Sequence, residues 1–351
     1  MNEITRVGVD LAKAVIEVHA VDAQGRVVAK RTLARKSFLD WCAKLPAGCV
    51  VAMEACSSAH HWGRQLQQLR TGLQAKLIAP HHVSPYRMQG KSGKNDANDA
   101  AAICEAASRP HMQFVPIKTV QQQGMLVVHR VREGCKKERN ACINRIRALL
   151  AEFGVVAAAT PMALRRQLPQ LLEDGTNELP GVARLAIERM ALQWRQLDED
   201  VAWCDQRVSE HVRQDERAKR AHQLLGVGEL AASAIVATVG DFSQFKNGRQ
   251  FAAWLGLVPS QNSSGGKAKL GSITKRGDEY LRMLMVQGGK AAVHCGKPRE
   301  ERVWQWADAM SKRIGWQKAS VALAAKNARI LWAMFTRGES FVANHVSVKP
   351  A

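Results

Sequence analysis

Residues 49–55 have the sequence CVVAMEA, a continuous apolar run that ends in an acid, Glu54. A run of this kind is typical of a strand that is buried on both faces of a sheet. The segment AKLIAP, residues 75–80, has the same character, and the helical pattern HHWGRQLQQLRTG, residues 60–72, lies between the two runs. The alternation of buried strands with a helix predicts an α/β domain, with helices packed on a sheet.

The residues before this run predict three more strands. RVGVD, residues 6–10, is short and apolar, and VIEVHAV, residues 15–21, alternates apolar and polar positions. The turn DAQGR leads to VVAKRTL, residues 27–33, as in a β-hairpin. A short helix, SFLDWCAKL, comes next, and a later helix begins within KNDANDAAAI, residues 94–103. The order β-β-β-α-β-α-β-loop-α therefore predicts a mixed sheet with helices within residues 1–115.

The charge of the chain indicates a polyanionic partner. The 351 residues include 51 Lys and Arg against 31 Asp and Glu, a net charge of +20. Such a basic protein most simply binds nucleic acid. The longest apolar run, residues 230–240, is too short to span a bilayer, so no membrane is predicted. The eight cysteines form no C-x-x-C pair and no signal-peptide apolar region opens the sequence, so we expect reduced thiols in the cytoplasm.

Residues 116–217 have a helical pattern. The segment at 127–150 is a basic helix, and residues 190–208 carry apolar side chains at alternating steps of four and three. That spacing is typical of a coiled coil, and the turn-rich link between the two helices favours an antiparallel hairpin. A helical bundle core with no partner is an equally good interpretation. The basic side chains predicted to contact nucleic acid on the first helix are Arg130, Arg132, Lys136, Lys137, Arg139, Arg145 and Arg147.

Two glycine-containing segments stand out in residues 218–340. In LLGVGELAASAIVATVG, residues 224–240, Gly226 and Gly228 predict a helix-hairpin-helix whose backbone amides approach a phosphate, although a tight turn between helices also favours glycine. In SSGGKAKLGSITKRGD, residues 263–278, a serine beside cations is a candidate nucleophile toward a DNA phosphate. An inert linker has the same composition, and no base lies close by in the sequence. The cations predicted to bind phosphate in this segment are Lys267, Lys269, Lys275 and Arg276.

Four acids form a candidate metal site in the N-terminal domain. Asp10 and Glu54 close two predicted strands, while Asp96 and Asp99 share one face at the start of a helix. Favourable interaction with the helix dipole would explain the helical pair alone. Acids that close apolar strands, however, need a partner or a cation. The placement matches the RNase H-like fold and predicts a site for Mg²⁺ or Mn²⁺ that acts at a phosphodiester. Two neighbouring candidate phosphate contacts, which a solvated loop would also explain, are Lys91 and Lys94.

Taken together, the motifs resemble those of the DEDD transposases of bacterial insertion sequences, the bridge-RNA-guided recombinases of the IS110 family, and are most similar to its IS1111 subgroup. The resemblance covers nearly the whole chain. It rests on VGVDLAK, MEAC, KNDANDA, GVGELAASAIVATVGDFSQFKNGRQFAAWLGLVP and SSGGKAKLGSITKRGDEYLR. It implies a RuvC-like domain at 1–115, a coiled-coil helical hairpin at 116–217, a mostly helical serine domain at 218–340 and a loose tail at 341–351.

The resemblance also implies the chemistry. The catalytic and metal-binding acids fall on Asp10, Glu54, Asp96 and Asp99, and the nucleophile falls on Ser264, directly after Ser263. The implied activity is an RNA-guided DNA recombinase that cuts and rejoins strands through a covalent phosphoserine with Mg²⁺. The implied partners are donor and target DNA, a structured non-coding guide RNA, and further copies of the chain in dimers and tetramers at the bacterial nucleoid.

Two other functions fit the same residues. A RuvC-like Mg²⁺-dependent nuclease or junction resolvase would use water as the nucleophile, with Ser264 as a bystander. A non-catalytic nucleic-acid-binding repressor would need neither the acids nor the serine. A covalent protein–DNA adduct distinguishes the recombinase from both.

Overall fold

The computed structural model describes residues 3–69, 71–87, 95–264, 267–295, 299–342 and 344, with the backbone alone at 264, 267, 268 and 295. The chain divides into two compact units, Met1–Val120 and Gln121–Ala351. The predicted divisions at residues 116, 218 and 341 stay predictions.

The first unit is built on a six-stranded sheet. Its strands are β1 (Arg6–Leu11), β2 (Val15–Val21), β3 (Val27–Ala34), β4 (Val50–Glu54), β5 (Gln74–Ile78) and β6 (Phe114–Val115). They lie in the order β3-β2-β1-β4-β5-β6. β1, β4 and β5 are parallel, whereas β2, β3 and β6 pair antiparallel to their neighbours. The mixed sheet predicted from the sequence is confirmed and is consistent with a DEDD nuclease-like domain; the short edge strand β6 was not predicted.

Helices cover both faces of this sheet. They are α1 (Phe38–Cys42), α2 (Ala59–Gln68), α3 (Pro80–Val83) and α4 (Asp96–Ala107). Val51 and Met53 of β4 pack into the core that contains Phe38 of α1, whereas Ala52 faces the opposite core with Ile103 of α4. All three β4 residues are fully buried. The continuous apolar run of β4 therefore follows from burial on both faces.

The contact between α4 and β1 depends on a glycine. A Cβ atom at Gly8 would lie 2.1 Å from the Ala100 carbonyl oxygen and 2.4 Å from the Cys104 backbone nitrogen. Real Cβ atoms do not approach backbone this closely, so α4 rests directly on the backbone of β1. This contact determines where the first turn of α4, and the acids in it, lie relative to the end of β1.

The second unit is mostly helical. Its helices are α5 (Val120–Ala151), α6 (Pro161–Glu173), α7 (Gly181–Gln214), α8 (Glu216–His222), α9 (Glu229–Val239), α10 (Gly248–Trp254), α11 (Glu279–Lys290), α12 (Arg302–Ile314) and α13 (Trp316–Arg337), with a π-helical turn at Ala291–Cys295. A two-stranded antiparallel hairpin, β7 (Pro259–Ser264) and β8 (Lys267–Ile273), precedes α11. The hairpin was not predicted, since the sequence indicated a loop there.

α5 and α7 pack antiparallel along the predicted seam. Arg132 of α5 pairs with Asp205 of α7, and Arg139 of α5 pairs with Asp198 of α7. The residue number therefore increases along α5 in the direction in which it decreases along α7. Trp194 and Leu197 of the seam pack into a core formed with α5 and α6. The seam therefore packs against helices of the same chain, and the coiled-coil hairpin stays a prediction beside the helical bundle.

A buried polar network joins four helices of the second unit. His129 of α5 is 1% exposed, with Nε2 2.9 Å from Ser233 Oγ of α9 and Nδ1 3.0 Å from the Tyr280 hydroxyl of α11. His211 Nδ1 of α7 lies 2.9 Å from the same Ser233 oxygen. One hydroxyl can donate to one ring and accept from the other, so the network is satisfied while both imidazoles are neutral. Burial first, and then the charges of His211 and Arg132, lower the pKa of His129 to about 4.

This network predicts that the second unit loses stability in acid. The pKa of His129 in the folded protein lies below the ordinary value of 6.5. The contribution of the neutral His129 to the free energy of unfolding is therefore complete above pH 6.5 and is lost as the pH falls toward 4. We expect a loss of about 3 kcal/mol over that window, measured by urea unfolding at a series of pH values. His129→Asn should reduce the pH dependence of the free energy of unfolding. The control, His111→Asn at an exposed histidine, should leave that pH dependence unchanged. An unchanged pH dependence in His129→Asn would contradict the assignment.

Candidate nuclease centre and serine hairpin

Two acids lie at the same edge of the sheet because of strand register. β1 and β4 are neighbouring parallel strands in which Val9 is aligned with Met53. The next residues along the two strands are Asp10 and Glu54, so both carboxylates follow a buried apolar segment at the carboxyl ends of adjacent strands. The position agrees with the prediction from the sequence that these acids come together.

The other two acids open α4. Asn95 is the N-cap, and its side-chain oxygen accepts from the Asn98 backbone N–H at 2.8 Å. Asp96 and Asp99 are therefore not needed to cap the helix. Burial, followed by the negative charges of Asp96, Asp99 and Glu54, raises the pKa of Asp10 to about 6. All four carboxylates thus belong to one electrostatic cluster in which like charges repel.

Sequence reasoning missed a cation at this cluster, Arg87. Its Nη2 donates to Glu54 Oε2 at 2.7 Å, and its Nε lies 2.9 Å from Asp99 Oδ1. Arg87 therefore joins the end of β4 to the first turn of α4. The only signal in the sequence is that a repelling cluster of acids needs a positive partner, which indicates a cation without saying which residue supplies it.

A second arginine supports the loops that follow the acidic strand ends. Arg35 donates to the Ala12 carbonyl oxygen at 2.7 Å and to Ser58 Oγ at 3.1 Å. Its guanidinium also lies over the Trp62 ring, 5.3 Å from the centroid. Ala12 follows β1 and Ser58 follows β4, so Arg35 holds together the two segments beside Asp10 and Glu54. Nothing in the sequence near Arg35 indicates this contact.

The donor set fits a hard divalent cation. Its side chains are carboxylates, the ligands that Mg²⁺ and Mn²⁺ prefer, and the guanidinium of Arg87 shows that the cluster attracts positive charge. Among the residues that the structure describes, no three or more His, Cys, Asp or Glu side chains lie at metal-ligand spacing. The four-carboxylate metal site therefore stays a prediction.

The candidate nucleophile lies near the tip of the β7–β8 hairpin. Ser263 pairs with Ala268, and Ser264, at the end of β7, pairs with Lys267 at the start of β8. The side chain of Ser263 is exposed, and its Oγ accepts from Gln261 Nε2 at 2.7 Å. The side chains of Ser264 and Lys267, like residues Lys91 and Lys94, lie outside the described part of the chain.

The predicted nucleic-acid contacts differ in their accessibility. Arg132 is 9% exposed and pairs with Asp205 and Glu133, and Arg139 pairs with Asp198, so both have roles inside the chain. Lys136 pairs with Glu133, and Arg147 donates to the Ala159 carbonyl oxygen. The predicted cations that the structure leaves exposed are Arg130, Lys137, Arg145, Lys269, Lys275 and Arg276.

The two glycines of the predicted helix-hairpin-helix have different environments. Gly226 has a φ of +79°, and a Cβ there would lie 2.8 Å from the Gly288 carbonyl oxygen of α11, so close packing between backbones explains this glycine. Gly228 is the exposed N-cap of α9, with open space where a Cβ would be. The amide-approach hypothesis is thus compatible with Gly228, whereas Gly226 is required for packing.

Sequence comparisons identify the family of the chain. A DEDD transposase family model matches residues 7–154, and a model described as "Transposase IS116/IS110/IS902 family" matches residues 218–305. The "Probable family 20 transposase" of Pseudomonas aeruginosa is 44% identical, over 95% of this chain and 97% of its own length. The "Transposase for insertion sequence element IS1111A" of Coxiella burnetii is 38% identical, over 97% of this chain and 92% of its own.

Two matched transposase models, one over the α/β domain and one within the helical part of the chain, define a DNA-processing enzyme of the DEDD transposase class. The chain belongs to the IS116/IS110/IS902 transposase family. DNA recombination and transposition of an insertion sequence are therefore its function. None of the helices in the described ranges combines the length and apolar character needed to cross a membrane.

Proposed function

We propose that this transposase cuts and rejoins DNA strands through a covalent phosphoserine at Ser264, with a divalent cation, Mg²⁺ or Mn²⁺, held by Asp10, Glu54, Asp96 and Asp99. The observation that carries the proposal is that four acids from distant parts of the sequence cluster at one edge of the sheet. Ser264 is supported by its place near a hairpin tip, where the exposed Lys269 pairs with Asn262, and by the family resemblance.

The proposed reaction conserves phosphodiester bonds. Ser264 Oγ bonds to the phosphorus, the bond from phosphorus to one deoxyribose oxygen breaks, and the serine proton ends on the released oxygen. A deoxyribose hydroxyl of another strand then bonds to the same phosphorus, the bond from phosphorus to Ser264 Oγ breaks, and the proton of that hydroxyl ends on Oγ, which regenerates the serine. When bound, the divalent cation would stabilise negative charge on the phosphate oxygens. The exposed Lys269, Lys275 and Arg276 would hold the DNA backbone, with affinity that weakens in salt.

RNA guidance and oligomerisation are part of the proposal. By resemblance, a structured non-coding RNA pairs with donor and target DNA, so that base pairing selects the sequence. Exposed Arg130, Lys137 and Arg145 on α5 are candidate contacts to its backbone. Assembly into dimers and tetramers is supported by apolar residues that α5 leaves exposed: Val120, Val127 and Val131. In a bacterial cytoplasm such a protein would act at the nucleoid.

Trapping of the covalent adduct tests the nucleophile. Purified protein, Mg²⁺, element DNA and RNA transcribed from the flanking non-coding region are incubated, and denaturing gels detect protein attached to labelled DNA. We expect an adduct in the wild type and in Ser263→Ala, and at least about a 10³-fold decrease in Ser264→Ala, because removal of a covalent nucleophile removes the step. Ser263→Ala is the matched control, since it removes the neighbouring hydroxyl from the same strand.

Other outcomes identify the alternatives. Products with free 5′-phosphates and no adduct would contradict the serine mechanism and favour a nuclease that uses water. No reaction in the presence of cation and cognate RNA would favour the non-catalytic repressor. Equal target choice with and without RNA would contradict guidance by RNA.

A further inference from the structure

Arg87 lies inside the acidic cluster. Its guanidinium contacts Glu54 at 2.7 Å and Asp99 at 2.9 Å, two carboxylates that come from different elements of the fold. The Glu54 and Asp99 side chains are each 15% exposed, whereas the Arg87 side chain is 39% exposed. The carboxylates are thus held in a partly buried site, and the arginine reaches them from the solvent side.

One positive charge does not balance this cluster. Among the described residues, Arg87 is the cation that contacts this cluster, and it pairs with two of the four acids, Glu54 and Asp99. Four carboxylates, two of which contact the arginine, face a single guanidinium. The cluster with Arg87 bound therefore retains excess negative charge, which a divalent ion would neutralise more fully.

A guanidinium and a divalent ion compete for the same carboxylates. Arg87 donates into Glu54 Oε2 and lies against Asp99 Oδ1, and a hard cation would need lone pairs on these carboxylates. Two positive charges held against the same carboxylates would also repel each other. Arg87 and the ion therefore weaken each other's binding, since both draw on the same two carboxylates.

We propose that Arg87 is a built-in competitor of the divalent cation, which bridges Glu54 and Asp99 in the metal-free protein and leaves both when the cation binds. This inference rests on the proposed function, because it requires that the acids hold a cation. Arginine suits the role since its planar fork can contact two carboxylates at once, which a single ammonium group does less well. As a consequence, Arg87 holds the acids in position before the cation binds. Its competition with the cation lowers the affinity of the site for that cation.

Direct measurement of Mn²⁺ binding tests the inference without any assay of activity. Isothermal titration of the full-length protein with MnCl₂ compares the wild type with Arg87→Gln. We expect the Kd for Mn²⁺ to fall about tenfold in the variant, which corresponds to the loss of one moderately strong ionic competitor. In EDTA the thermal midpoint of Arg87→Gln should fall below that of the wild type, and the upward shift on addition of Mn²⁺ should be larger in the variant.

Two further variants serve as controls. Arg109→Gln removes an arginine that pairs with Glu105 on the exposed side of α4, and it should leave the Kd unchanged. Arg87→Lys retains the charge but cannot form the same bridge, so its Kd should lie between those of the wild type and Arg87→Gln. The lysine variant also preserves the test if Arg87→Gln does not fold.

The possible results separate this inference from the proposed metal site. If the wild type binds Mn²⁺ and Asp10→Asn weakens binding, the cation site stands. An unchanged or weaker Kd in Arg87→Gln would then overturn the competitor role alone. If neither the wild type nor Arg87→Gln binds Mn²⁺, the metal site of the proposed function fails and the competitor role fails with it. A lower Kd in Arg87→Gln, with an intermediate Kd in Arg87→Lys, supports both the metal site and the competitor role of Arg87.

Discussion

Replacement of Gly8 by alanine is expected to destabilise the first unit by about 3 kcal/mol or more and to abolish DNA strand cleavage. The new Cβ would overlap the Ala100 carbonyl oxygen and the Cys104 backbone nitrogen. β1 cannot retreat, since it is hydrogen-bonded between β2 and β4. α4 must therefore move outward, and Asp96 and Asp99 move with it, away from Asp10. Thermal unfolding and a strand-cleavage assay measure the two effects.

Gly134→Ala is the matched control for this substitution. Gly134 lies within α5, where open space surrounds the position of a Cβ. In a helix interior alanine is favoured over glycine, so we expect a gain of up to about 1 kcal/mol. Wild-type stability together with wild-type cleavage in Gly8→Ala would contradict the packing that places α4.

Replacement of Asp10 by asparagine is expected to lower strand cleavage by about 10³-fold or more while stability in EDTA is maintained or increased. Burial and then the other acids raise the pKa of Asp10 from 3.8 to about 6, so ionisation of Asp10 lowers the stability of the folded state as the pH rises between these values, and the full loss is present above pH 6. Asparagine has nearly the same shape and no charge. With the partial exposure of Asp10 taken into account, we expect a gain of up to about 2 kcal/mol at pH 8.

The sign of the stability change makes this prediction specific. If Asp10 had a structural role, Asp10→Asn would lower both stability and activity. If Asp10 is repelled by the other acids of a cation site, the substitution lowers activity but raises stability. Asp40→Asn, an exposed aspartate in the first turn of α1, is the control and should change neither cleavage nor the unfolding midpoint by much. Full cleavage activity in Asp10→Asn would contradict a catalytic role for Asp10.

Much of the first unit could be predicted because its signals are local. Periodicity and continuous apolar runs indicated β1 to β5, and each of the acids stands directly at the end of a strand or the start of a helix. The edge strand β6 was missed because two residues carry no periodicity. The β7–β8 hairpin was missed because Ser, Gly and Lys have low strand propensity, and cross-strand pairing outweighs that preference.

Contacts between distant residues were beyond prediction for a different reason. Arg87 precedes α4 in the sequence, and nothing near it shows that it reaches both Glu54 and Asp99. In the same way, the basic pattern of α5 did not distinguish the buried Arg132 from the exposed Arg130. The sequence shows how many basic side chains α5 carries. The packing of α7 against α5 determines which of them form ion pairs with acids of the same chain.

The sequence by itself determined the class of fold, the placement of four acids at the ends of their elements and the basic character that suits nucleic acid. Hydrophobic periodicity and net charge are properties of consecutive residues, so they can be seen without a structure. Only the tertiary structure decided that α4 rests on Gly8, that the four acids lie in one electrostatic cluster and that Arg87 pairs with two of them. Those facts depend on distances between residues far apart in the chain, and distances are established only when the chain is packed.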